Sequence, residues 1–213
     1  MDYSKETKIR LGDSFKKVRA QTLLICENLE TEDYIVQSAK FASPAKWHLA
    51  HTTWFYEEFI LKNTDNYQEY NTEYSTLFNS YYNTIGQFWN QAERGHLSRP
   101  TVKEVFSYRK YIDEKILDLI SRDEAGEFQT ILEIGLNHEQ QHQELLEMDL
   151  KYNLAKNPSL PQIREVDFSF KTSEVLKEKI EFKSFKRTGF EQGTDYQQGF
   201  CFDNETPKHE VII

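Results

Sequence analysis

Residues 43–61 read SPAKWHLAHTTWFYEEFIL, and this segment decides the fold. Ser43 and Pro44 are the residue types of an N-cap followed by a first-turn proline, so they predict the start of a helix. The residues on its predicted inner side recur every three or four positions, which is the spacing of one buried helical face. They are Trp47, Ala50, His51, Trp54, Glu58 and Leu61. The pattern predicts an amphipathic helix with His51 pointing inward and His48 at the edge of the buried stripe.

Three further helices are predicted from patterns of the same kind. The first covers Asp13–Leu29, the third begins at a capping box of Thr101 and Glu104, and the fourth covers Phe128–Tyr152. The apolar stripes are Phe15, Val18, Thr22, Ile25 and Leu29 in the first helix, Val102, Val105, Ile112, Ile116 and Leu119 in the third, and Phe128, Ile131, Leu132, Leu145 and Leu146 in the fourth. Residues 62–99 have no sustained period and are predicted to be a long connection. We therefore predict a mainly α fold, with a four-helix bundle over residues 1–155.

The chain changes character after Tyr152. Asn157-Pro158 and Leu160-Pro161 would break a helix, and the stretches EVDFSFK (165–171) and IEFKSFK (180–186) partly alternate as strands do. Residues 156–213 are therefore predicted to be a linker followed by the start of a β-rich domain.

Composition disfavours several classes of partner. The net charge of -9 and the pI near 5.2 repel phosphate backbones and anionic lipid head groups, so we expect neither nucleic acid nor a membrane surface as a partner. No apolar run approaches the ~20 residues of a membrane span, and the N-terminus lacks the apolar core of a secretion signal. We therefore expect a cytoplasmic protein that acts on a small molecule, with Cys26 and Cys201 as free thiols.

The inward-facing histidines form the candidate site. On helical wheels at ~100° per residue, His51 lies inside the stripe of the second helix, and His138 and His142 lie one turn apart inside the stripe of the fourth. A single buried histidine is usually a hydrogen-bonded core residue. Two adjacent imidazoles are costly to bury without partners, whereas one ion would satisfy both, and His51 from a facing helix would complete a three-nitrogen set. The pattern therefore predicts a divalent metal site of His51, His138 and His142.

The letters HEQQH at residues 138–142 also match the HExxH motif of zinc proteases. A protease would use Glu139 as the general base with a third ligand downstream, whereas His51 lies far upstream, so this interpretation is disfavoured. Three neutral nitrogens would leave an iron ion several open positions, or a zinc ion one position for water. The ligands alone do not choose between iron and zinc.

Several segments resemble the sulfoxide synthases of ergothioneine biosynthesis. Residues 43–61 and LNHEQQHQELLEMDLKY (136–152) resemble the DinB-like bundle at the N-terminus of that family. LFNSYYNTIG (77–86) and ERGHLSRPT (93–101) strengthen the match. GFCFDNETPKHEVII (199–213) resembles the opening of the family's C-terminal domain, which is related to formylglycine-generating enzymes.

The resemblance implies an activity and a set of site residues. Members of the family use non-haem Fe(II) and dioxygen to join a cysteine-containing thiol, either γ-glutamylcysteine or cysteine, to trimethylhistidine as a sulfoxide. The second histidine of WHLAH, His51, and the two of HEQQH, His138 and His142, match the family's iron ligands. The family also holds the carboxylates of the thiol substrate with arginines before the third helix, which implies that Arg94 and Arg99 bind substrate here.

Related activities remain open. The ovothiol and selenoneine synthases share this architecture, a DinB-like metal-dependent thiol transferase would use the same site without oxygen, and a non-catalytic metal-binding remnant would keep only the ligands. The FDNETPKH segment (202–209) disfavours the transferase. The sequence stops within a predicted strand at 211–213, so most of the domain expected to supply the trimethylhistidine pocket and the catalytic acid would be missing. We accordingly expect little turnover by these residues alone, and unpartnered apolar residues near Phe200, Phe202 and Val211.

Overall fold

A computed structural model of the chain describes residues 5–82, 84–122, 126–164 and 182–213. The chain divides into two compact units, and the division falls between Glu165 and Val166. The predicted alternation in EVDFSFK (165–171) lies outside the described residues.

The first unit is mainly helical, as the sequence predicts. Its helices are α1 (Lys5–Ile25), α2 (Ala45–Phe59), the one-turn α3 (Tyr74–Leu77), α4 (Val102–Ser121) and α5 (Gln129–Leu154). Short 3₁₀ helices cover Asp33–Ile35, Leu61–Asn63 and Gln91–His96. The capping box predicted at the start of α4 is confirmed, because Thr101 Oγ1 accepts from the Glu104 N–H at 3.2 Å and Glu104 accepts from the Thr101 N–H at 2.6 Å.

The four long helices form one bundle. Helices α1 and α2 each pack against both α4 and α5, so their apolar stripes meet in a single core. The predicted stripe residues that are buried there are Phe15, Val18, Thr22, Ile25, Val105, Ile112, Ile116, Leu119, Leu132 and Leu146. Burying an apolar side chain of this size contributes about 1.5–3 kcal/mol relative to leaving it exposed. Leu145 departs from the prediction, because 37% of its surface is exposed.

Helix α2 is buried on every side from Ala45 to Glu57, rather than along one stripe. The reason is the connection that follows it, which folds back against α2. The Trp47 indole N–H donates to the carbonyl oxygen of Leu77 at 3.2 Å, and His51 Nδ1 lies 2.6 Å from the carbonyl oxygen of Phe78. The long connection is therefore one wall of the bundle, and it reaches the part of α2 that carries His51.

Helix α5 approaches α2 closely at Gly135. A Cβ atom placed on Gly135 would lie 2.6 Å from Cε1 of the Tyr56 ring, which is far closer than packed carbon atoms lie. A residue without a side chain is therefore required at this crossing. The crossing lies about one turn before His138, so it brings the histidine-bearing face of α5 up to α2.

Several predicted helix boundaries need correction. Helix α1 covers Lys5–Ile25 instead of Asp13–Leu29, because residues 5–12 offer only Ile9 and Leu11 as large apolar positions, too few to indicate a helical face. Helix α5 begins one residue later and ends two residues later than predicted, at Gln129 and Leu154. Helix α2 ends at Phe59, so Leu61 belongs to the next 3₁₀ turn.

The predicted N-cap role of Ser43 is wrong. Helix α2 begins at Ala45, Pro44 precedes it, and no side-chain hydrogen bond caps its N-terminus. The Ser43 hydroxyl oxygen instead accepts a hydrogen bond from Arg94 Nη1 at 2.8 Å. The Ser43 hydroxyl is therefore engaged by Arg94, which is distant in sequence, and does not cap the helix.

The second unit contains a two-stranded antiparallel sheet. Strand β1 (Gly189–Gln192) pairs with β2 (His209–Ile212), and Phe190 lies opposite Val211. The described part of IEFKSFK, residues 182–186, forms no strand, which corrects the prediction from its alternation. Phe202 is 38% exposed, and Phe200 and Val211 are of intermediate exposure.

In the part of the chain that the structure describes, no helix combines the length and the apolar character needed to cross a membrane.

Candidate metal centre

Three histidines from two helices converge, as the helical wheels predict. His51 comes from α2, whereas His138 and His142 come from α5, and one ring nitrogen from each lies within 4.8 Å of the others. The Nε2 atoms of His51 and His138 are 3.2 Å apart. The ring centroids of His51 and His142 are 4.6 Å apart. The two helices thus bring the three predicted ligands to a common point.

The surroundings of His51 assign its two ring nitrogens. Nδ1 lies 2.6 Å from the carbonyl oxygen of Phe78, which can only accept, so Nδ1 carries the proton and Nε2 keeps a lone pair. Two nitrogens bound to one ion at ~2.1 Å are about 3.0–3.4 Å apart at angles of about 90–109°. The observed Nε2 to Nε2 distance of 3.2 Å lies within that range. The spacing therefore fits two ligands of a single metal ion.

The cluster favours neutral imidazoles. Burial lowers the pKa of His51 and of His142 well below the ordinary value, and the neighbouring histidines lower both pKa values further. Burial also lowers the pKa of His138 to about 4. The buried Nδ1 of His138 has no hydrogen-bond partner among the described residues. At neutral pH the three rings therefore present lone pairs that the protein itself does not fully satisfy, which is the state that binds a metal.

The three histidines border a cavity of about 470 Å³. A cavity of this size accommodates a small molecule. The other residues that line it are mostly aromatic, apolar or uncharged polar groups: Phe41, Ser43, Trp47, His48, Ser80, Tyr81, Tyr82, Gln91, Arg94, Gln141, Leu145, Met148 and Asp149. The partial exposure of Leu145 follows from its place in this wall.

Arg94 lies in this cavity. It is 4% exposed, and its guanidinium carbon is 3.2 Å from the centroid of the Trp47 ring. The Trp47 ring in turn stacks on His51 at a centroid distance of 4.5 Å. Burial lowers the pKa of Arg94 to about 10, so it is still a cation at neutral pH. Its buried Nε has no hydrogen-bond partner among the described residues, so the guanidinium has donor capacity for a ligand.

Arg99 lies elsewhere. Its side chain is exposed and donates from Nη1 to the carbonyl oxygen of Ser98 at 2.8 Å. It is not among the residues that line the cavity. The structure therefore brings only one of the two predicted substrate-binding arginines to the histidines.

Glu139 is engaged in a separate buried cluster, which weighs against the zinc-protease interpretation. Its carboxylate accepts from Arg19 at 2.9 Å, from Arg109 at 2.6 Å and from Thr22 at 2.6 Å. Burial by itself would raise the pKa of Glu139, but Arg109 and Arg19 outweigh it and bring the pKa to about 2. A carboxylate held by two cations is not free to act as a general base.

A further pair of buried polar residues adjoins His142, and the sequence patterns missed it. His48 is 3% exposed, which corrects its predicted place at the edge of the stripe. Its Nδ1 lies 3.0 Å from Nδ1 of His142, and its Nε2 lies 3.0 Å from Oδ2 of Asp149. Asp149 follows His142 by about two helical turns and so shares its face. An acidic residue at that spacing on an inward face was the signal that could have revealed the pair.

The sequence matches the DinB superfamily over residues 14–146, which is more than half of the chain. The matched region contains the three histidines, Arg94 and Glu139. Proteins of this superfamily bind metal ions. A comparison with curated proteins found no match. The helical bundle, the converging histidines and the extent of the match lead to one conclusion: the chain belongs to the DinB superfamily.

Proposed function

We propose that this chain is the metal-binding part of an oxygen-dependent sulfoxide synthase of the ergothioneine type, with His51, His138 and His142 as ligands of Fe(II). It acts on a cysteine-containing thiol, either γ-glutamylcysteine or cysteine, and on trimethylhistidine. The resemblance of residues 43–61 and 136–152 to that family supports the proposal. In this proposal residues 199–213 belong to a formylglycine-generating-enzyme-like domain.

The observation that carries the proposal is the number and environment of the histidines. A structural zinc site normally has four protein ligands, whereas this cluster has three, and all three border the cavity. Three neutral nitrogens leave an iron ion with positions for exogenous ligands. A cavity that opens onto those positions provides space for two small substrates next to the ion.

Arg94 supports an anionic substrate. Its guanidinium is fixed by the Trp47 ring and by the Ser43 hydroxyl, so it is pre-oriented before any ligand arrives. Arginine binds carboxylates through two parallel N–H groups. Cysteine and γ-glutamylcysteine both carry carboxylates, and in this proposal Arg94 binds one of them and turns the sulfur atom towards the histidines.

The proposed reaction balances with dioxygen as the oxidant. The S–H bond of the thiol, the C2–H bond of the imidazole and the O–O bond of dioxygen break, and a C–S bond and an S–O bond form. The second oxygen atom leaves as water with the two hydrogens. Iron held by His51, His138 and His142 would supply a Lewis acid for the thiolate and redox chemistry with dioxygen. The residues of the chain hold the ion, bind the carboxylate and line the site with the apolar surfaces of Trp47 and Met148.

The first test needs no turnover. The chain is loaded with Fe(II) without oxygen, cysteine or γ-glutamylcysteine is added, and nitric oxide serves as a surrogate for dioxygen in electron paramagnetic resonance. We expect an iron-nitrosyl signal that changes when the thiol binds. His142→Ala should lose it, and Glu144→Gln, at an exposed position on the same helix, should keep it. A signal that is indifferent to thiol would contradict the proposal.

The second test separates oxygenation from thiol transfer. With ¹⁸O₂, thiol and trimethylhistidine, the expected product contains both substrates, one labelled oxygen atom and two hydrogens fewer, and mass spectrometry detects it even when turnover is slow. A thiol transferase would instead join the thiol to an electrophile without oxygen. Conjugates formed equally well under nitrogen would replace the proposed function with transfer.

A further inference from the structure

A continuous set of buried polar groups connects the start of α2 to His142. The Ser43 N–H donates to Asp149 Oδ2 at 2.8 Å, and the same oxygen lies 3.0 Å from His48 Nε2. His48 Nδ1 then lies 3.0 Å from His142 Nδ1. Ser43, His48 and Asp149 are all buried. These groups are therefore shielded from water and depend on one another for hydrogen bonding.

The proton positions in this set follow from which atoms can donate. The Asp149 carboxylate only accepts, so His48 Nε2 carries the proton. A neutral His48 then has its lone pair on Nδ1, and its contact with His142 is a hydrogen bond only when His142 Nδ1 donates. The lone pair of His142 is thereby confined to Nε2. Asp149, acting through His48, selects one of the two tautomers of His142.

We propose that His48 and Asp149 are positioning residues that fix the ring of His142 as an Nε2 ligand of the metal. The inference rests on the proposed metal site and adds to it the groups that prepare one ligand. Metal-binding histidines are usually oriented by an acceptor for their second ring nitrogen, and loss of that acceptor typically lowers metal affinity 10–100-fold. The carbonyl oxygen of Phe78 is the corresponding acceptor for His51. For His142 the acceptor is a second histidine, which transmits the effect of Asp149.

Two other roles for His48 would have different consequences. As a fourth ligand, His48 would bind the ion directly, but its Nδ1 faces Nδ1 of His142, and the group of converging ligand atoms comprises His51, His138 and His142. As a packing residue, His48 would need only its volume, but both of its nitrogens have polar partners. The geometry therefore favours a hydrogen-bonding role over the other two.

The experiment measures Co(II) affinity by competition with a coloured chelator in the full chain. His48→Leu keeps bulk but removes the acceptor, and we expect 10–100-fold weaker binding. His48→Asn places an amide oxygen near the position of Nδ1, so it should retain most of the affinity. Asp149→Asn should weaken binding, and adding it to His48→Leu should have no further effect, because the carboxylate acts through the ring. Glu144→Gln is the control that should change nothing.

A second measurement needs no variant. In the Zn(II)-loaded wild type with ¹⁵N-labelled histidine, nuclear magnetic resonance should show His142 protonated at Nδ1 and bound through Nε2, with His48 protonated at Nε2 and unbound. A zinc ion on Nδ1 of His142 or on His48 would overturn the inference. Unchanged Co(II) affinity in His48→Leu, or equal losses of affinity in His48→Leu and His48→Asn, would overturn this inference and leave the proposed function standing. A wild type that binds no Co(II) would overturn the proposed function as well.

Discussion

His138 and Glu139 are consecutive residues of α5, yet they belong to two buried clusters of opposite character. Glu139 is saturated, because its two oxygens accept hydrogen bonds from Arg19, Arg109 and Thr22. His138 faces another histidine nitrogen at 3.2 Å, and its Nδ1 has no partner among the described residues. Both oxygens of Glu139 therefore have partners within the protein, whereas Nδ1 of His138 has none among the described residues.

This difference separates a structural cluster from a ligand site. A buried carboxylate that is hydrogen-bonded to buried cations is compensated within the protein, and removing its charge leaves those cations uncompensated. A buried cluster of like groups with unmatched lone pairs is unfavourable until a ligand satisfies it. The motif HEQQH therefore contributes to both kinds: His138 and His142 line the cavity together with Gln141, whereas Glu139 does not.

The largest expected effect comes from removing the charge of Glu139. Glu139→Gln should lower the free energy of unfolding by about 3–5 kcal/mol, because Arg19 and Arg109 would remain buried with too little negative charge. Urea unfolding of the metal-free protein measures it. Glu144→Gln, an exposed change of the same chemistry, should alter stability by less than about 0.5 kcal/mol. Similar values for the two variants would mean that the cluster around Glu139 does not hold the fold.

The histidine cluster should behave in the opposite way, because it gains stability only from a ligand. At a free Co(II) concentration of ~100 times the dissociation constant, the wild type should be stabilised by about 2.7 kcal/mol. His51→Ala should show almost none of this gain, whereas Glu144→Gln should show all of it. Thermal unfolding with and without Co(II) is the measurement. If Co(II) stabilised His51→Ala as much as the wild type, the ion would have to bind at another site.

Acid should weaken the histidine cluster before it affects Glu139. The pKa of His138 is about 4 in the folded protein, against ~6.5 in an unfolded chain, so the unfolded state takes up the proton first. Stability is therefore complete above about pH 6.5 and is lost as the pH falls towards about 4.

Between about pH 7 and about pH 5, His138 alone should lower the free energy of unfolding of the metal-free protein by about 2 kcal/mol. Urea titrations at the two pH values measure this loss, and His138→Asn should show a smaller one. Metal retention should fall over the same interval, because protons compete for the same nitrogens. Metal binding that is independent of pH there would point to carboxylate ligands.

The smallest effect concerns Arg94. Arg94→Met should weaken binding of cysteine to the Co(II)-loaded protein roughly tenfold, or about 1.4 kcal/mol, while leaving metal affinity unchanged. The absorption band of a Co(II)-bound thiolate reports the binding. Arg99→Met is the matched control and should bind cysteine normally, because Arg99 is exposed and outside the cavity. If both variants lost the same cysteine affinity, Arg99 would also have to contribute to substrate binding, as the sequence predicts.

Helical periodicity predicted which faces point inward, and this was enough to predict the bundle and the convergence of His51, His138 and His142. It could not predict which groups meet across the core. Arg19 and Arg109 lie within the inward faces of α1 and α4, but their common partner Glu139 becomes evident only when the helices pack. Ser43 shows the same limit, because Arg94, distant in sequence, uses the hydroxyl that its residue type predicts as a cap.

The contact between His51 and the carbonyl oxygen of Phe78 limits how this site could be moved into another protein. The orientation of His51 depends on a backbone atom in the connection, and Phe78 is itself buried. A graft of the three histidines onto a different helical scaffold would copy the ligands without the group that orients one of them. Exchanging connections between related proteins would replace the cavity wall that contains Tyr81 and Tyr82. Such an exchange would preserve the orientation of His51 only if it kept the backbone at residue 78, so α2 and its connection would have to be moved together.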